Sequence, residues 1–333
     1  FLLTSRNQLI RENAMCLKCF TPEESLDYLN KMLPEISQNH DSLNKLRETL
    51  HDYPLALAQA SSYITALPSL SIEDYLKLYQ QKRRVLWEEE EKLTTQKDKE
   101  ELLQEDYRRT ISSTFTLLLE HVIETSPHAY ELLKLSSFLG NQDIPKRLLM
   151  SWMVDHKKLS EFNFHEAAST LIKHSIFEKN EGEDKEEKYN MHALLHEFIR
   201  DNLTNDTKNV YLTEAISLLS SFLPESSYRI WEILSDDRIL EFHLDSLLTL
   251  AENYGFQTES FLDLKIKYLH FIHFFKFDYV NAVKKAEELE KNYQKIKQCS
   301  PLTIGKFLGI SGNLATTRWG YNKAISLSEE AVE

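Results

Sequence analysis

Seven glycines and eight prolines among 333 residues leave this chain little material for tight hairpins or for loops that cradle a phosphate. What it holds instead is long Leu/Glu/Lys/Ala-rich stretches with apolar residues at helical spacing, and a mainly α fold is expected. The length exceeds one ordinary helical domain, so two or three modules are expected, each able to bury its own core.

Charge and cysteine usage narrow the function classes. A formal net charge of −13 with scattered basic residues lacks the electropositive footprint that drives binding to a phosphate backbone, which disfavours nucleic acid as a partner. No apolar run approaches the roughly 18 residues that a membrane helix needs. Cys16, Cys19 and Cys299 are too few for a disulfide framework, and a reducing, cytoplasmic setting is expected. The opening Phe1-Leu2-Leu3-Thr4-Ser5-Arg6 reads as the last strand of an α/β sheet entered midway, which leads us to expect a longer polypeptide.

Thr21-Pro22-Glu23-Glu24 is a helix start, with Thr as N-cap, Pro at the first helical position and Glu at the third, and the helix carries Leu26, Leu29 and Leu33. A second helix is expected over 42–50, and Pro54 opens a third, whose small residues to Ala66 allow close packing. Residues 81–106 are charge-dense and read as a helical linker. Residues 107–203 read as helices at 107–124, 127–139, 145–155 and 165–173, then extended segments at 175–178 and 188–191 flanking Asn180-Glu181-Gly182-Glu183-Asp184. A small helical domain with one β-hairpin is a winged-helix pattern. Beyond about Lys208 only helices are expected: a connector over 208–255, then repeats over 256–333. Tyr279 and Ala282 recur as Tyr321 and Ala324 at an offset of 42 residues, a helix-turn-helix repeat longer than the usual tetratricopeptide period.

Met191-His192-Ala193-Leu194-Leu195-His196-Glu197-Phe198-Ile199-Arg200 opens a strongly amphipathic helix. Met191, Leu194, Leu195, Phe198 and Ile199 form its apolar face, with His192 and His196 off that face and exposed one turn apart. Position 193 is Ala, so the zinc-protease pattern His-Glu-x-x-His lacks its general base. Cys16-Leu17-Lys18-Cys19 has ligand spacing without a second ligand pair, and two half-buried thiols are expected there. Gly305, Gly309 and Gly312 follow no strand and are assigned to close helix packing, and no Gly-x-x-x-x-Gly-Lys-Ser/Thr occurs. The hairpin carries Glu178, Glu181, Glu183, Asp184, Glu186 and Glu187 against Lys179, Lys185 and Lys188, an acidic balance that repels DNA and favours packing between domains.

In order and spacing these parts resemble the C-terminal portion of a STAND-type signalling ATPase, an NB-ARC module followed by tetratricopeptide repeats. Phe1 to Arg6 resembles the family's sensor strand, and Cys19-Phe20-Thr21-Pro22-Glu23-Glu24-Ser25 the start of its helical subdomain. Tyr53-Pro54-Leu55-Ala56-Leu57 resembles its Gly-Leu-Pro-Leu-Ala-Leu segment, with Asp52 near the expected Gly. Met191-His192-Ala193 resembles its Met-His-Asp motif, with Ala193 in place of the Asp.

The resemblance implies three nucleotide contacts: Arg6 reading the γ-phosphate, Pro54 near the adenine, and His192 on the β-phosphate of bound ADP. It implies a last core strand at 1–12, the helical subdomain at 13–80 and the winged helix at 107–203. ADP or ATP with Mg would bind the complete protein and not these residues tightly alone; slow ATP hydrolysis would belong to the complete protein, and catalytic residues and metal ligands are expected nowhere here. The function implied is the regulatory and sensor portion of a cytoplasmic nucleotide-switched scaffold, with a protein or peptide ligand on the repeats and homo-oligomers on activation. A winged-helix transcriptional regulator and a repeat adaptor without nucleotide are the alternatives.

Overall fold

The computed structural model describes residues 19–34, 40–90, 99–181, 186–223, 237–274, 278–291 and 298–318. Among them fourteen α-helices and one three-stranded sheet make up a mainly helical protein. The expected strand at 1–6, Cys16, the hairpin tip at 182–185 and the second repeat copy at 319–333 lie outside the described residues. By internal contacts the chain divides into two compact units, Phe1–His121 with Lys173–Ser175, and Val122–Ile172 with Ile176–Glu333.

In the first unit, α1 (Pro22–Met32) starts on a complete capping box. Thr21 Oγ1 accepts from Glu24 N at 3.2 Å while Glu24 Oε2 accepts from Thr21 N at 2.8 Å, which satisfies two backbone donors that open every helix unpaired. Leu29 and Leu33 bury against α2 (His40–Thr49) and α3 (Pro54–Ala66). Nine of the thirteen α3 residues are buried, among them Ala56, Ala60, Ser61 and Ser62, so small side chains let neighbouring helices close on more than one face.

Between α2 and α3 the backbone turns through His51 and Asp52, both in the left-handed region at φ 55° and 54°. Asp52 therefore occupies the kind of position where a glycine costs nothing. Its carboxylate offsets that cost by pairing with Arg47 Nη1 at 3.3 Å, and its carbonyl accepts from Phe20 N at 3.1 Å. The charge-dense stretch is helical at both ends, in α4 (Ile72–Glu90) and α5 (Lys99–Thr125). Lys82 Nζ meets Glu120 at 2.6 Å, and Tyr63 packs against Tyr75 at 5.6 Å and against His121 at 5.4 Å. Cys19 is exposed, in place of the half-buried thiol expected there.

The second unit holds the sheet. Helix α6 (Pro127–Ser136) leads into a turn and the two-residue strand β1 (Ile144–Pro145). Helix α7 (Lys146–Ser151) widens into a π-helical turn, Trp152–His156. After α8 (Glu161–Lys173) come β2 (Phe177–Glu181) and β3 (Glu187–Met191), antiparallel in the order β1-β3-β2, with Phe177 opposite Met191 and Ile144 opposite Tyr189. Buried Tyr189 and Met191, two residues apart on β3, share one face with buried Phe177 opposite Met191, which fixes this register.

Two of the carboxylates on this hairpin, Glu186 and Glu187, are tied down. Arg147 Nε meets Glu186 at 3.1 Å; Glu187 takes Lys179 at 3.1 Å, Lys146 at 3.4 Å and the Tyr189 hydroxyl at 2.6 Å. Burial alone would raise the Glu187 carboxyl, but Tyr189, Lys179 and Lys146 outweigh it and hold it down to about 2.

Helices α9 (Ala193–Asp201), α10 (Asn205–Phe222), α11 (Asp237–Asn253), α12 (Glu259–Phe274), α13 (Tyr279–Glu290) and α14 (Pro301–Arg318) complete the unit. α10 packs on α6, α11 and α12, and α12 also packs on α13 and α14. Gly305 and Gly309 lie inside α14, and a Cβ built on either meets nothing within 4 Å among the described residues. Among the described residues these two glycines do not make the close packing expected of them. No described helix is long and apolar enough to cross a membrane.

Candidate functional site

β3 delivers the chain directly into the segment singled out by its histidines. His192 is the N-cap of α9 in extended conformation, φ −64° and ψ 133°, and its Nδ1 accepts from Leu194 N at 3.2 Å. An imidazole that accepts at Nδ1 in its neutral form carries its proton on Nε2. His192 is exposed at the positive end of a nine-residue helix, a setting that favours an anion.

His196 is not exposed. It is 6% accessible and buries beside Leu195 and Ile199, so the buried face of α9 is turned away from Leu194 and Phe198, both half-buried. The cause is a polar partner across the fold. Ser136 O and Ser137 O are carbonyls at the C-terminal end of α6, beyond its regular ladder, and Ser136 O also accepts from Leu139 N at 3.1 Å. His196 Nε2 donates to Ser136 O at 2.9 Å, Arg200 Nη1 donates to Ser137 O at 2.5 Å, and the same Nη1 also meets His196 Nδ1. One tautomer serves the whole set, with the imidazole proton on Nε2 and Nδ1 as acceptor. Burial and the Arg200 guanidinium hold the imidazole down to about 3, so His196 is neutral in the folded protein at ordinary pH.

A second histidine grips the turn that follows α6. His243 of α11 is fully buried; its Nδ1 accepts from Gly140 N at 3.0 Å and its Nε2 donates to Asp143 O at 3.3 Å. Asp143 is left-handed at φ 50°, and Asn190 Oδ1 accepts from its N–H at 2.7 Å. The approach at Gly140 is so close that a Cβ would sit 2.3 Å from Phe242 Cε1 and 2.9 Å from His243 Nδ1. A glycine is required here for room.

Between α9 and α11, closed on one side by Leu139 and Gly140, lies a cavity of about 520 Å³ lined also by His196, Arg200, Phe242 and Asp245. The expected site residues fall elsewhere. Pro54 is exposed at the first position of α3 in the first unit, His192 belongs to the second, and neither lines this cavity; Arg6 lies outside the described residues. Both ring nitrogens of His196 are engaged, which removes it from a zinc pair with His192. Among the described residues no group of three or more His, Cys, Asp or Glu could hold a metal ion.

The roles of Arg200, His196 and His243 escaped sequence reasoning. The one local signal was that position 196 lies a single residue past Leu195, at the border of the apolar stripe. No protein-family model matches the sequence, and no curated protein matches it either.

Proposed function

We propose that these residues form the regulatory and sensor part of a nucleotide-switched (ATP/ADP) signalling scaffold. In this reading the first unit contains the NB-ARC helical subdomain, the sheet and its helices form a winged-helix module, and the later helices are tetratricopeptide-like repeats that take a protein or peptide ligand. The observation that supports it best is His192, an exposed imidazole capping the helix that leaves a three-stranded antiparallel sheet, with its proton on Nε2. Helix dipole and N–H donor act together there on an anion such as the β-phosphate of ADP. The sequence holds no Gly-x-x-x-x-Gly-Lys-Ser/Thr, so the proposal requires a phosphate-binding core upstream of Phe1 and assigns no ATP hydrolysis to these residues. Ligand binding to the repeats would favour a conformation in which that closure is open, and so couple recognition to nucleotide state. DNA reading by the hairpin is disfavoured, because among the described residues Lys179 of the hairpin and Lys146 and Arg147 of α7 are already paired with Glu186 and Glu187.

The test is ADP retention by protein that includes the upstream core, measured chromatographically after purification, alongside its oligomeric state. His192→Ala is expected to lower ADP occupancy by on the order of tenfold, the loss of one charge-assisted hydrogen bond, and to raise basal oligomerisation. Equal occupancy in mutant and wild type rejects the assignment of His192. An upstream sequence without a phosphate-binding loop rejects the switch itself.

A further inference from the structure

The cavity between α9 and α11 is lined by a cation, Arg200, that makes no ion pair with a carboxylate among the described residues. Arg200 is half-buried, and its partners are the Ser137 carbonyl and the neutral His196 ring; among the described residues no carboxylate pairs with it. Both contacts use Nη1. Among the described residues nothing engages Nε–H or the second terminal amino group, and that edge of a guanidinium meets a carboxylate through two parallel hydrogen bonds. The two contacts that occupy Nη1 also fix the group in place, so a ligand would meet a guanidinium already held in position.

The rest of the lining narrows the ligand. Leu139, Leu250 and Phe242, an aromatic ring 42% exposed, supply an apolar wall. Glu197 and Asp245 line the same space; Asp245 is engaged by the Tyr268 hydroxyl and by Lys285 Nζ, each at 3.1 Å. Two carboxylates in the same lining repel a dianion such as phosphate more strongly than a single negative charge. About 520 Å³ lies within the ordinary range for a small-ligand pocket. We propose that this cavity is a binding site for a monocarboxylate carried on an apolar or aromatic body, with Arg200 clamping the carboxylate and Phe242 and Leu250 taking the body. Such a ligand would touch α9 and α11 together. The site is independent of the nucleotide reading.

The same carboxylate chemistry can come from a free acid or from the C-terminus of a peptide, and one titration series separates them. The 333-residue chain is titrated calorimetrically with N-acetyl-phenylalanine, with its carboxamide, with a glycine-extended peptide ending in the same free phenylalanine, and with inorganic phosphate. The acid is expected to bind at least tenfold more tightly than the carboxamide, and phosphate more weakly than the acid. A peptide tighter than the single residue assigns the site to a chain terminus; a weaker one assigns it to a free acid. Arg200→Met is expected to abolish the preference for acid over amide. Equal affinity for acid and amide in the wild type overturns the proposal, whether or not the variant folds. So does absence of binding by both, phosphate binding as tight as the acid, or a folded Arg200→Met that keeps the preference.

Discussion

At the scale of single residues, the second unit is organised by side chains that reach backbone groups far away in sequence. His196 and Arg200 satisfy carbonyls at the end of α6, and His243 holds the Gly140 to Asp143 turn from about a hundred residues downstream. Gly140 is the most exacting position of the set. Gly140→Ala is expected to destabilise the protein by about 1 to 3 kcal/mol, the usual cost of forcing a methyl into a packed site. Phe242 can swing outward, whereas the buried His243 cannot yield without losing its bond to Gly140 N. Urea unfolding of the variant checks this, and an unchanged midpoint would show that α11 does not close on that turn. None of these three side chains advertises its partner locally. A histidine at the border of an apolar stripe looks the same in sequence whether it faces water or a helix terminus.

At the scale of elements, the reading from sequence succeeded where local rules decide. Thr21-Pro22-Glu23-Glu24 forms the helix start and the capping box it encodes, and Pro54 occupies the first turn of α3. The hairpin expected around residues 175 to 191 forms at 177–181 and 187–191. Thr21→Ala should therefore cost about 0.5 to 2 kcal/mol, because it strips the acceptor from Glu24 N and leaves only the bond from the backbone N–H of position 21 to Glu24. Thermal unfolding measures that loss, and a Thr21→Ser variant should keep most of the stability. Boundaries shifted where a neighbour intervened. The helix expected over 145–155 begins one residue later, since Pro145 pairs in β1, and it passes into a π turn at Trp152, whose indole donates to Glu214 at 2.9 Å. The glycines of α14 show the converse failure, since spacing alone suggested close contacts that Gly305 and Gly309 do not make among the described residues.

At the scale of the whole molecule, buried neutral histidines set the response to acid. Burial holds His174 down to about 4, helped by His121 and Lys173, and it lowers His270 and His273 as well as His196. A histidine whose folded value lies below its unfolded value of about 6.5 takes up a proton mainly on unfolding, so its contribution is complete above that value and is lost as the pH falls below it. Each such group adds a slope of up to about 1.4 kcal/mol per pH unit, running down to about 4 for His174 and about 3 for His196. Glu187 adds a second loss between its ordinary range near 4.3 and about 2. Stability should thus decline steadily from pH 7 to pH 5, which urea midpoints at three or four pH values would show; a flat profile would contradict neutral burial of these rings.

The sequence by itself determined a mainly helical chain, the capped start of α1, the proline start of α3 and the hairpin of the second unit, because periodicity, caps and turn formers act over a few residues. Only the tertiary structure decided that His196 faces inward, that Arg200 lines a cavity without an ion pair among the described residues, and that a glycine admits His243. Those outcomes depend on groups 60 to 103 residues apart meeting in space, and burial, which sets their cost, exists only once the helices have packed.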